Sequence, residues 1–118
     1  MKTKKDPRHL SRIATFQAIF AYSLGHTGLP HTDQSKEIIA NLEKIDKLIS
    51  TNAPKWPIDK INHVDLAILR LAFWELNFQK STPPKVIIDE AVEIAKEFGS
   101  DNSSSFVNGV LGTVAKLL

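Results

Sequence analysis

No cysteine occurs among the 118 residues of this chain, which removes both a disulfide framework and any thiolate zinc site. Long apolar runs are missing too: no stretch approaches the roughly 18 residues that a membrane-spanning helix needs. The basic start, Met1 to Arg12, leads into helical spacing that carries Arg12 and Gln17, not into the apolar segment of a secretory signal. No segment alternates apolar and polar residues between hairpin turns, so strands are not expected. Even the β-branched run Val86-Ile87-Ile88 continues at four-residue spacing and reads as helix. Catalytic signatures are absent as well, with no glycine-rich phosphate loop, no zinc-protease helix motif and no serine elbow. His26 and His31 share a loop, but two imidazoles without nearby carboxylates make a poor metal site. The chain reads as a non-enzyme without metal or cofactor.

What is present is helix, with charge at one end. Residues 1–12 hold Lys2, Lys4, Lys5, Arg8 and Arg12 against Asp6 alone, while the formal charge of the whole chain is only +2. A basic end on a slightly acidic body points to a polyanion met at one place. On charge alone, a solubilising N-terminus explains the pattern equally well.

The first helix is expected from Pro7 to about Leu24, capped by Asp6 and stopped by Gly25. Its apolar stripe is Leu10, Ile13, Phe16, Gln17, Phe20 and Leu24. A second helix, from Thr32 or Asp33 to about Thr51, carries Ile38, Leu42, Ile45, Leu48 and Ile49. After the break around Trp56 and a short turn at Ile58 to Ile61, a third helix covers about Asn62 to Gln79. It is apolar all round and is expected to be the buried centre. Asp65, Arg70 and Glu75 interrupt it at about 140° per step, so they do not pair along one face. Arg70 therefore needs a partner from elsewhere, and Glu90, Glu75 or both are expected to supply it. A fourth helix runs from Pro84 or Lys85 to Phe98, and a fifth from about Ser104 to Lys116, with Val107, Val110, Leu111, Val114 and Leu118 inward. Gly109 and Gly112 lie on the far side of that last helix. Either another helix of this chain or an outside partner approaches there closely.

Two clusters suit RNA. Arg8 and Arg12 are one turn apart and share a face, with Lys4 and Lys5 just ahead and Gln17 and Phe20 further along. Both arginines are expected to be exposed. Phe106 sits about 100° from Val107, at the edge of the last helix's stripe. The serine-rich loop before it, with Asn102, offers hydroxyls, an amide and free N–H groups to phosphates or base edges. A ring plugging the core against Val110 and Leu117 stays open as the alternative for Phe106, and Asn108 reads as structural, as a cap to a neighbouring helix.

Three stretches carry a family resemblance. "RIATFQAIFAY" (Arg12 to Tyr22), "VDLAILRLAFWEL" (Val64 to Leu76) and "PPKVIIDEAVEIAKEFGSDNSSSFVNGVL" (Pro83 to Leu111) follow one another as in the NusB family of transcription antitermination factors, and "KIDKLI" (Lys44 to Ile49) fits the segment between. The match covers most of the chain and is most specific at Phe106 to Leu111. The resemblance implies an all-α fold, a compact bundle of two small helical subdomains, making residues 1–118 a single NusB-like RNA-binding domain. It implies binding to the boxA element of ribosomal RNA leader together with NusE, a small-subunit ribosomal protein. The pair would load onto transcribing RNA polymerase in the cytoplasm. It also places Trp56 and Asp65 where NusE docks; Asp65, without a basic neighbour on its face, reads as a free charge, with an N-cap near the start of its helix as the alternative.

The chain departs from the family in three ways. Only about 20 residues separate Leu24 from Ile45, so one family helix after the first is missing or shortened. The arginine cluster is diluted by lysines, Asp6 and His9, and Phe20 stands where tyrosine is common. These changes bear on RNA affinity more than on fold. Some family members dimerise, and the sequence leaves that open here. Two alternatives stand beside the antitermination reading. One is a NusB-like domain of the kind found in ribosomal-RNA cytosine methyltransferases, against which a start at Met1 and the lack of a following cofactor-binding fold argue. The other is a helical module that binds protein but not RNA.

Overall fold

The structure, a computed structural model, describes residues 6–116. Six α-helices occur among them: α1 (Pro7–Ser23), α2 (Asp33–Ala40), α3 (Leu42–Asn52), α4 (His63–Phe78), α5 (Pro84–Phe98) and α6 (Ser103–Ala115), with a 3₁₀ turn at Ile58–Lys60 before α4. Local chemistry sets most boundaries. Asp6 accepts the Arg8 backbone N–H at 2.8 Å, and Pro7 fills the first helical position. At the other end of α1 Gly25 takes φ +85°, which an L side chain resists. Asn62 caps α4 and Thr32 caps α2, the latter through a reciprocal box with Ser35.

α4 is the axis of the molecule. Every residue from Asp65 to Leu76 is buried, as expected of a helix that is apolar all round. Helices α1, α2 and α3 pack on it as one group, α5 and α6 as the other, and α5 and α6 also pack extensively on each other. Phe73, Leu69, Ile68, Ile19, Ile45, Ile94 and Leu111 fill the space between, all essentially inaccessible.

Three expectations need correction. The single helix from residue 32 to 51 is two helices, broken at Asn41 (φ −118°, ψ 18°), whose side-chain amide bonds back to the Glu37 carbonyl at 2.8 Å. Ile38 and Ile45 are seven residues apart, so the apolar stripe continues across the break and conceals it. The segment left short by the family comparison thus holds α2, about two turns long. Secondly, the inner face of α1 is rotated from the apolar stripe. Leu10 is 48 % exposed and Gln17 is at the surface, while His9, Thr15, Phe16 and Ile19 are buried. Thr15 makes a 2.7 Å hydroxyl contact with Thr32, which ties α1 to α2. Finally, Asn108 is exposed and its side chain makes no capping bond among the described residues. Leu117 and Leu118 lie outside the described residues.

Candidate nucleic-acid interface

The start of α1 divides into an outward and an inward half. Arg8 points out, with 85 % of its side chain exposed, and among the described residues its guanidinium reaches only Asp6, at 3.4 Å. Hydrogen bonds from the Arg8 side chain and backbone hold the Asp6 carboxyl below its ordinary value. A surface pair of this kind is worth little, so Arg8 is available to a phosphate. Lys4 and Lys5 lie outside the described residues.

Arg12 points in, contrary to the expected exposure, and only 13 % of its side chain is accessible. Its Nε donates to both Glu75 oxygens (3.1 and 3.0 Å), Nη2 to Glu75 Oε1 (2.9 Å) and Nη1 to Glu90 Oε1 (3.2 Å). The buried His9 meets the same Glu90 oxygen through Nδ1, at 3.2 Å. Burial works against the Arg12 charge, but bonding and attraction to Glu75 and then Glu90 outweigh it and hold the guanidinium above its ordinary value. Arg12 is therefore the clamp that fastens α1 to α4 and α5.

That clamp uses the carboxylates expected for Arg70. Arg70 instead grips Asp46 of α3 in a two-pronged pair, Nε to Oδ1 at 2.9 Å and Nη2 to Oδ2 at 2.8 Å. The reason is the helical angle between residues 70 and 75, about 140°, which turns Glu75 towards α1 and Arg70 towards α3. Spacing along α1 carried a signal for the clamp, since His9 and Arg12 are three apart and share a face.

Gln17 is exposed further along α1. Phe20 is half-buried and stacks on Phe16 (centroids 6.2 Å apart, planes at 28°), which in turn meets Phe98. One side of the Phe20 ring is thus already engaged.

A second cluster lies elsewhere and draws together residues that the sequence assigned to different partners. Trp56, 46 % exposed, meets Phe106 edge-on, with centroids 5.4 Å apart. Together with Asn102, Lys55, Ser105 and Gly109 they line a groove of about 630 Å³. Phe106 is half-buried and packs against the core, so it is neither a plug nor a free platform. Asn102 is exposed and makes no capping bond; Ser103 Oγ accepts the Ser100 N–H instead (2.9 Å). A Cβ added at Gly109 or Gly112 would meet nothing within 4 Å, so no helix among the described residues accounts for either glycine. Asp65 does not join the groove and is not a free surface charge. It is 5 % exposed, its N–H donates to Asn62 Oδ1 (2.9 Å), and its Oδ2 accepts from Asn62 Nδ2 (3.0 Å).

Comparison with known proteins agrees with this architecture. A family model described as NusB family matches residues 31–116. Transcription antitermination protein NusB of Treponema denticola is 39 % identical over 128 residues, covering 91 % of this chain and 94 % of the relative. The solved structure of Thermotoga maritima NusB superposes with a TM-score of 0.77 at 38 % identity, over 98 % of this chain and 93 % of that one. A chain in the crystal structure of antitermination factors NusB and NusE in complex with dsRNA has the same fold, with a TM-score of 0.79 at 24 % identity, over 94 % and 97 % of the two chains.

Proposed function

The chain belongs to the NusB family, and from that membership we propose that it is an RNA-binding transcription antitermination factor. It acts by binding, not by catalysis. Its ligand is boxA-type ribosomal RNA leader, its protein partner is NusE, and the pair serves RNA polymerase during elongation in the cytoplasm. No helix among the described residues is long and apolar enough to cross a membrane.

The observation that carries this reading is the division of labour at the start of α1. Arg12 fixes the helix through Glu75 and Glu90, and Arg8, one turn before it, is left almost fully exposed. A cation presented on a rigid element suits a phosphate. Lys4, Lys5 and Gln17 extend the same contact, and Arg12 takes part by holding it in place. The groove of Trp56, Asn102 and Phe106 receives a second part of the assembly, RNA at Phe106 and Asn102 and NusE at Trp56, while Asp65 shapes the α4 start through Asn62. Phe20, with one face covered, offers its edge.

Titrating the protein with single-stranded boxA RNA and with a scrambled sequence, each with and without NusE, tests the proposal. Binding that prefers boxA and tightens with NusE is expected. Binding to NusE without any RNA binding would instead make the chain a protein-only module.

A further inference from the structure

Beneath Arg8 lies a cleft of about 320 Å³ whose wall includes Trp74 and Glu75 of α4. That volume is at the lower end of small-ligand sites, which span roughly 300–1,000 Å³. Trp74 is 2 % exposed, and its indole N–H, the only polar group on that side chain, is closed off from solvent with no hydrogen-bond partner among the described residues. A buried tryptophan ordinarily finds a partner for this donor, and leaving it idle lowers stability. A phenylalanine would fill the same core position without that cost.

The rest of the wall is idle in the same way. Ser11, Gln34, Gln79 and Thr82 line the cleft, and none of their side chains bonds to another described residue. Gln34 and Gln79 are exposed, with no side-chain bond among the described residues to hold them across the cleft. The charges indicate its class. The Arg12 guanidinium at the wall is taken up by Glu75 and Glu90, and the Glu75 carboxylate repels an anion. Arg8 at the rim is the available cation. A phosphate therefore belongs at the rim, and a neutral, flat, acceptor-bearing group belongs inside.

We propose that this cleft is a single-base subsite, taking one unpaired nucleobase of the bound RNA strand and pairing an acceptor on its edge with the Trp74 indole N–H. The inference rests on the RNA-binding reading above and deepens it. Unpaired bases are read by hydrogen bonds to their exposed edges, and here the neighbouring phosphate would sit on Arg8.

Trp56 and Trp74 are the only tryptophans, so the indole N–H signals in an NMR spectrum number two, and Trp74→Phe assigns them. On titration of the unaltered protein with short single-stranded boxA RNA, the Trp74 indole proton should shift and exchange more slowly with solvent. Trp74→Phe should weaken binding about three- to tenfold, the effect of one hydrogen bond, and leave the salt dependence unchanged. Single abasic substitutions along the RNA should reveal one position whose loss weakens the parent but not Trp74→Phe. An unmoved Trp74 proton at saturation, or abasic effects equal in parent and variant, would overturn the subsite. If Arg8→Ala still weakened binding in that case, the RNA reading would stand without it. No binding of RNA to the parent would remove both.

Discussion

Arg12 and Arg8 are four residues apart and carry the same charge, yet they should behave in opposite ways when replaced. Arg12→Ala strands two buried carboxylates, and breaking such a pair costs roughly 3–5 kcal/mol; the melting temperature should fall steeply. Arg8→Ala should leave it almost unchanged, since exposed pairs contribute about 0–1 kcal/mol. Equal melting of the two variants would contradict the inward and outward assignment. Arg70→Ala should cost about 3 kcal/mol for the same reason, and the loss should be coupled to Asp46 and not to Glu75 in double-mutant cycles. The Asp6 cap adds a pH signature. Its carboxyl is depressed from 3.8 in the folded state, so its contribution is present above that value and disappears as pH falls through the lower, folded value. The melting gap between parent and Asp6→Ala, measured at neutral pH, should therefore close in acid.

At the scale of the element, what the sequence disclosed depended on where the informative atoms lay. Helix α4 was legible because twelve consecutive buried positions leave an apolar surface on all sides, and α1 and α5 announced themselves through Asp6-Pro7, Gly25, Pro84 and Gly99. The face of α1 was not legible. Its buried side includes His9, Arg12 and Thr15, and a reading that counts only apolar residues turns towards Leu10 instead. The break at Asn41 escaped because periodicity survives it. Helix α6 retains an internal puzzle with a measurable answer. Its two glycines face open space, so Gly109→Ala and Gly112→Ala should each raise stability, by up to about 1 kcal/mol, seen as a shift in urea midpoint. Only Gly109 lines the Trp56–Phe106 groove. Its alanine variant should therefore weaken whatever docks there, while Gly112→Ala binds as the parent does. Destabilisation by either change would show that the surface is already covered in solution.

For the molecule as a whole, fold and family were open to reading because they rest on patterns spread along the chain: an all-round apolar helix, ordered blocks, and Phe106 to Leu111 at the end. The site was only half open. Arg8 and Phe106 stood out by residue type and position, but the pairing of Arg12 with Glu75 and Glu90, of Arg70 with Asp46, and of Trp56 with Phe106 spans separations that no local spacing encodes. The base cleft under Arg8 and the aromatic groove share no lining residue, which gives one small bundle two places to hold an assembly. On the proposed function, RNA is met electrostatically by the outward cation of a clamped helix. The dependence of boxA RNA affinity on salt, compared between the parent and Arg8→Ala, tests it most directly. Losing one phosphate contact to a single strand should reduce the slope of log K against log salt by about 0.7 and weaken binding at low salt, with the fold intact. Identical affinity and slope for the two proteins would contradict the account.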